Sequence, residues 1–240
     1  LIEGVEDYFH DWYARGRCID LKDFLLSIHY TELRHLAATN LEDFLTLIEV
    51  IYNLWYIVDR EEKNPLSDLV LYITHNELKL LMDECLSQYN HKAYYIKKDE
   101  KVLVVEDKPE ATAVAEIVEP DLALEVIRYN HHSLKGDVNA KRSILNRLGT
   151  ELEPRRKELK AVNSTLEDQV FFMLNNMNIR HNNIKTGDGN YREAVVQMPE
   201  TELEQWYDEL YQMILLAMLQ MDNVDRTAKV RALKDKITTK

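Results

Sequence analysis

Glycine and proline are scarce, 6 and 5 residues in a chain of 240, where ordinary usage is roughly 7% and 5%. So few chain breakers exclude a turn-rich β-sandwich and favour helices. The same scarcity removes the glycine loops that cradle phosphates. Neither GxGxxG nor GxxxxGK[ST] occurs, which excludes both standard nucleotide sites. Cysteine is rarer still. Cys18 and Cys85 lie far apart with no CxxC, so neither a disulfide framework nor a thiolate metal site is expected, and reducing, intracellular surroundings are. No apolar run reaches the ~20 residues of a membrane span. The most apolar stretch, Leu45 to Val58, is interrupted by Glu49 and Asn53. Acidic Glu3, Glu6 and Asp7 stand where an export signal would be basic. A cytoplasmic protein without membrane contact is the expectation.

What is present is helical periodicity. Leu41, Phe44, Leu45, Ile48, Tyr52, Trp55 and Val58 recur at three- and four-residue steps, the signature of an amphipathic helix with a wide buried stripe. Asn40 can cap its start, and Glu42 and Asp43 suit the positive end of its dipole. Val5–Ala14 and Leu21–Ala37 read as earlier helices broken at Arg15-Gly16-Arg17. Asn64-Pro65 stops one helix and can open the next. Leu69–Ile73 fits a strand or a buried helix, and the capping-box spacing of Thr74 and Glu77 predicts a helix through Tyr89.

The pattern then changes. Tyr94-Tyr95-Ile96 and Val102-Leu103-Val104-Val105 flank the charged run Lys97–Lys101, which predicts a hairpin. Ala113–Val118 fits a third strand or a helix. Beyond Pro120 the pattern is helical to the end. Leu122–His132 is one helix. Leu145, Leu148, Leu152, Leu159, Val162 and Leu166 suggest a long helix or helix pair, kinked where Gly149 and Pro154 interrupt it. Ser164 with Glu167 caps a helix carrying Val170, Phe171, Leu174 and Met177. Thr201 with Glu204 caps a long closing helix striped by Leu203, Tyr207, Leu210, Ile214, Ala217 and Met221. The expected fold is mainly α: a helical bundle with a small β-hairpin inserted between N- and C-terminal helical regions, divided as residues 1–90, 91–118 and 119–240.

Charge is unevenly placed. The chain carries a net −12, yet Lys135–Lys160 holds eight bases and four acids and Arg226–Lys240 six and one. Those two segments together are +9, which leaves −21 for the remainder. A local basic surface on an acidic protein follows, or else a set of solvated helix faces with a basic tail.

Metal chemistry finds little support. Glu32 and His35 have the i, i+3 spacing of a di-iron bundle, but no second Glu-x-x-His exists. Asp7 with His10 is equally weak. On a helix, His131 and His132 would point about 100° apart and could not share an ion. No nucleophile elbow exists, and Cys85, between Met82 and Leu86, reads as a buried inert thiol. No metal or other cofactor is expected. Trp206, Tyr207 and Tyr211 suit packing or the stacking of bases.

One stretch stands out. Asn175, Asn176, Asn178, Arg180, His181, Asn182 and Asn183 lie within ten residues, although asparagine competes for its own backbone and disfavours helices. Arg180 offers a planar fork to a phosphate or carboxylate, and His181 can exchange a proton near neutral pH. The plain alternative is a polar helix end, with both cations near the negative pole of the dipole.

The helix ending Ile179-Arg180-His181-Asn182-Asn183, the polar loop Lys185–Asn190 and the long closing helix Leu203–Met221 resemble the C-terminal helical region of abortive-infection proteins in the HEPN superfamily. The resemblance covers residues 121–240. It implies a defence- or prophage-type RNA-binding protein that works as a homodimer. Its catalytic form is a metal-independent endoribonuclease, in which Arg180 would bind the scissile phosphate and His181 would assist attack by the ribose 2′-hydroxyl. Asn182, Asn183 and Lys185 would hold the substrate. The family's later histidine has no counterpart here, since His181 is the last in the chain. The second expectation is a non-enzymatic helical interaction protein, a homo-oligomeric scaffold or regulator joined through its long helices.

Overall fold

The computed structural model describes residues 22–23, 40–60, 75–96 and 101–238. Within them the fold is mainly α-helical, with one two-stranded antiparallel hairpin between helical regions. The expectations for Val5–Ala14, Arg15–Arg17, Cys18, Asn64-Pro65, Leu69–Ile73, the pairs Glu32/His35 and Asp7/His10, and the hairpin turn at 97–100 lie outside the described residues. So does Leu21–Ala37, apart from the helical residues 22–23. The chain divides into two compact units, one ending at Asp107 and the other starting at Lys108.

In the first unit α1 spans Leu41–Arg60 and α2 spans His75–Gln88, while β1 (His91–Ile96) and β2 (Lys101–Glu106) form the hairpin. Asn40 caps α1 as expected: its Oδ1 accepts from the Asp43 N–H at 2.9 Å. Leu45, Ile48 and Tyr52 of α1 pack on Met82 and Leu86 of α2 and on Val102 and Val104 of β2. The strands pair from His91 opposite Glu106 to Ile96 opposite Lys101.

The two polar residues that interrupt the apolar run of α1 close the free edge of β2. Asn53 donates from Nδ2 to the Val102 carbonyl at 2.8 Å and accepts from the Val102 N–H at 2.9 Å. Glu49 accepts from the Val104 N–H at 2.6 Å. An edge strand's unpaired backbone groups are thereby satisfied by a helix instead of another strand.

The second unit is built from α3 (Pro109–Ala115), α4 (Pro120–Tyr129), α5 (Val138–Leu152), α6 (Arg156–Val162), α7 (Ser164–Asn176), the short α8 (Glu193–Val196) and α9 (Glu200–Thr238). Ala113–Val118, open between strand and helix in the sequence, begins in α3 and ends in a turn. Proline stands in the first turn of α3 and of α4, where a missing N–H costs nothing. The seven-residue leucine pattern is cut into α5, α6 and α7. Pro154 sits in a 3₁₀ turn, Glu153–Arg155, and supplies the kink. Gly149 lies inside α5, which runs on to Leu152. A Cβ there would meet Leu174 Cδ2 at 2.7 Å, so the missing side chain lets α7 approach α5.

Two caps differ from the sequence reading. Asn163, not Ser164, caps α7, its Oδ1 accepting from the Leu166 N–H at 3.0 Å. Glu167, freed from the box, is buried and paired with Arg156. The closing helix starts at Glu200, one residue before Thr201, and Glu204 turns away to other partners. The core gathers Val126, Leu145, Leu148, Leu152, Val170, Phe171 and Leu174 around Tyr207, Leu210, Tyr211, Ile214, Ala217 and Met221 of α9. No helix among the described residues is long and apolar enough to cross a membrane.

Candidate functional site

The asparagine-rich junction follows α7. The helix ends at Asn176, three residues before Ile179, because Asn178 takes a left-handed conformation (φ 56°) that asparagine tolerates. The Arg180 N–H then folds back onto the Leu174 carbonyl at 3.0 Å. Asn178 and Asn183 exchange bonds. The Asn178 N–H donates to Asn183 Oδ1 at 2.7 Å, and the Asn183 N–H donates to Asn178 Oδ1 at 3.3 Å. Asn183 Nδ2 donates further to the carbonyls of Asn190 (2.7 Å) and Asn175 (3.1 Å). Asn183 is fully buried. Tyr207, also buried, donates its hydroxyl to the Met177 carbonyl at 2.9 Å, and burial pushes that phenol up to about 12 despite the Arg142 charge.

The predicted site residues therefore separate. Arg180 is committed to Glu153, with its guanidinium carbon 5.9 Å from the Phe171 ring centroid. Arg156 lies over the same ring at 4.3 Å and pairs with Glu167. These alternating charges fasten the Pro154 kink to α7. His181, Asn182 and Lys185 are exposed on the surface of the loop. Asn183 holds the loop closed and faces no solvent. One half-committed guanidinium beside an exposed imidazole is what the junction offers an anion.

A second polar cluster escaped sequence reasoning. Lys141, 7% exposed, places Nζ 2.8 Å from Glu204 Oε1 and 2.7 Å from Asp208 Oδ1. Glu204 also accepts from the Gly136 N–H at 2.8 Å, and the Tyr129 hydroxyl donates to Asp208 at 2.9 Å. Tyr129 stacks on Tyr211 with centroids 4.0 Å apart. The Tyr211 hydroxyl donates to the Val126 carbonyl and accepts from Asn130 Nδ2, both at 2.7 Å. Burial, then the Asp208 charge, raises Tyr129 far above an ordinary phenol. Burial alone would raise Glu204, but bonds from Lys141 and the Gly136 N–H, with the charges of Lys141 and Lys135, outweigh it and hold the carboxyl low. Neither group titrates near neutrality. The arrangement pins α9 to α5 and α4. Only the i, i+4 spacing of Glu204 and Asp208 could have signalled it.

The histidine pair sits beyond α4, which ends at Tyr129. The two rings lie 4.3 Å apart instead of splaying, because His131 is extended (ψ 133°) ahead of a 3₁₀ turn. Its Nδ1 caps that turn, accepting from the Ser133 N–H at 3.3 Å. Cys85 is a half-buried free thiol.

Among the described residues, α9 presents a long exposed surface. Its first part is buried along one face through Met221. From Asn223 to Thr238 every residue is exposed, about 24 Å of helix at 1.5 Å per residue. Val230, Leu233 and Ile237 are 50%, 55% and 72% exposed, and Leu216 in the bundled part 47%. An open groove of about 460 Å³ runs between Val162 and Asn163 and the α9 residues Val224, Thr227 and Arg231. In the first basic segment Arg147, Arg155 and Arg156 pair with Glu125, Glu158 and Glu167, and Lys141 with Glu204 and Asp208. In the second, Arg226 pairs with Asp222. The comparisons add no relative: no family model, curated protein or solved structure matches the chain.

Proposed function

We propose that this protein is a non-enzymatic helical interaction protein that associates with itself through the solvent-facing stripe of α9. The carrying observation is that Val230, Leu233 and Ile237 are exposed on a helix that continues, unbroken, out of a packed core. A solvated helix of this length is marginal by itself. A stripe of large apolar residues on its surface marks an interaction site. Of the residues an RNA site would need, the catalytic candidate Arg180 is occupied by Glu153 and the substrate-binding candidate Asn183 by the loop it closes. Sedimentation velocity tests the reading. The intact chain should sediment as a dimer of 28.3 kDa subunits, and Leu233→Glu with Ile237→Glu should give a folded monomer. A wild-type chain that stays monomeric defeats it.

A second reading keeps RNA as the partner, in the manner the HEPN resemblance implies. It is favoured by the exposure of His181, Asn182 and Lys185 beside Arg180 and by the cations at the end of α9. Arg180 would have to leave Glu153 to take a phosphate, so Glu153→Gln should tighten RNA binding and Arg180→Ala abolish it. Binding should fall steeply with salt. No binding by the wild type at low salt, or equal binding by all three proteins, removes this reading.

A further inference from the structure

Resting on that self-association, we infer that two copies pair antiparallel along α9, with Leu216 of one copy against Leu219 of the other and Glu209 against Arg226. Glu209, Leu216, Asn223, Val230 and Ile237 stand at seven-residue intervals, and Gln212, Leu219, Arg226 and Leu233 stand at the same interval three places on. That is the a and d spacing of a two-helix seam. Every one of these residues is exposed or half-buried, whereas the core face of the same helix is carried by Tyr207, Leu210, Ile214, Ala217 and Met221. The helix thus has two faces of use. One is filled by its own bundle; the other is uncovered apart from Leu219, which is half-buried against that bundle's core.

Charge sets the direction. The uncovered face is acidic at its start, with Glu202 and Glu209, and basic at its end, with Arg226, Lys229, Lys234 and Lys236. Parallel pairing would set Arg226 against Arg226 within the seam and align the lysines with one another. Antiparallel pairing lays the basic end of each copy along the acidic start of the other. Antiparallel seams match a positions with d positions. Placing Leu216 against Leu219 twice about the two-fold axis brings Gln212 opposite Asn223, a hydrogen-bonding pair. Glu209 then falls opposite Arg226, an ion pair, while Gln205 faces Val230 and Glu202 faces Leu233. Glu209, Gln212, Asn223 and Arg226, the four polar seam residues around the central leucines, meet complementary ones, with Arg226 drawn from its Asp222 partner, and the surface is self-complementary, as an isologous dimer requires. The overlap from Glu202 to Leu233 is about 48 Å long, so the helix end that leaves its own bundle is covered by the bundle of the other copy.

Cysteine cross-linking tests direction and register in the full chain, with Cys18→Ser and Cys85→Ser as background. Glu209→Cys and Arg226→Cys alter exposed positions only. Chains carrying one should form a disulfide dimer when mixed with chains carrying the other, at least about tenfold faster than either alone. In parallel, Glu209→Arg should weaken dimerisation and Glu209→Arg with Arg226→Glu restore it. Cross-linking of the Arg226→Cys chain with itself as fast as with its mate overturns the antiparallel pairing. Sedimentation of the unoxidised proteins separates the levels: a dimer with the wrong cross-link pattern refutes this register and leaves self-association standing, while a monomer refutes both.

Discussion

A buried asparagine whose amide serves three main-chain groups cannot be shortened without leaving those groups unpaired. Asn183→Ala strands the Asn178 N–H and the carbonyls of Asn175 and Asn190, and should cost about 2–3 kcal/mol of stability in urea unfolding. Arg180→Ala removes a partly exposed ion pair and should cost no more than about 1 kcal/mol. Glu204 predicts a pH effect. Its folded carboxyl lies below the ordinary 4.5, so the folded state binds its proton less readily than the unfolded chain does. The stability it confers is complete above that value and is lost as pH falls through the lower folded one. Glu204→Gln should therefore flatten the acid side of the melting-temperature profile below about pH 4.5; an unchanged profile contradicts the account. The sequence marks the junction as unusual because asparagine is poor helix filler. It does not show why the asparagines are there. Arg180 finds Glu153 27 positions earlier, across the Pro154 kink, a neighbour that local spacing cannot reveal.

Elements whose own periodicity is strong are the ones legible in advance. The stripe of α9, and that of α1 at Leu45, Ile48 and Tyr52, lie where their three- and four-residue steps put them, and the hairpin follows from two β-rich runs. Caps are less legible, since Asn163 and Ser164 compete for one position and only the backbone turn decides. Glu49 and Asn53 look like faults in an apolar helix until β2, some fifty residues on, is laid beside them. Asn53→Leu leaves both backbone groups of Val102 unpaired and should lower stability by about 2 kcal/mol. Gly149→Val drives a side chain into Leu174, which is itself fully buried, and should cost about 1–3 kcal/mol. Thermal melts of the two variants check both values.

For the whole molecule, each unit has an apolar core of its own, and among the described residues a regular stripe of exposed large apolar side chains lies on one helix that continues past its bundle. Net charge alone, −12, would keep copies apart. In the proposed dimer, the segregation of acids and bases along α9 would let an acidic chain attract itself. The sequence left both nucleic acid and a second copy of the chain open as partners, because pattern alone does not tell which face of a long helix the core has already used. Hydrogen exchange along residues 223–238, measured at submicromolar and at high micromolar protein, tests this most directly. Protection of those amides that rises with protein concentration is the predicted result. Fast exchange at both concentrations, with the core stretch of α9 protected in each, would contradict it.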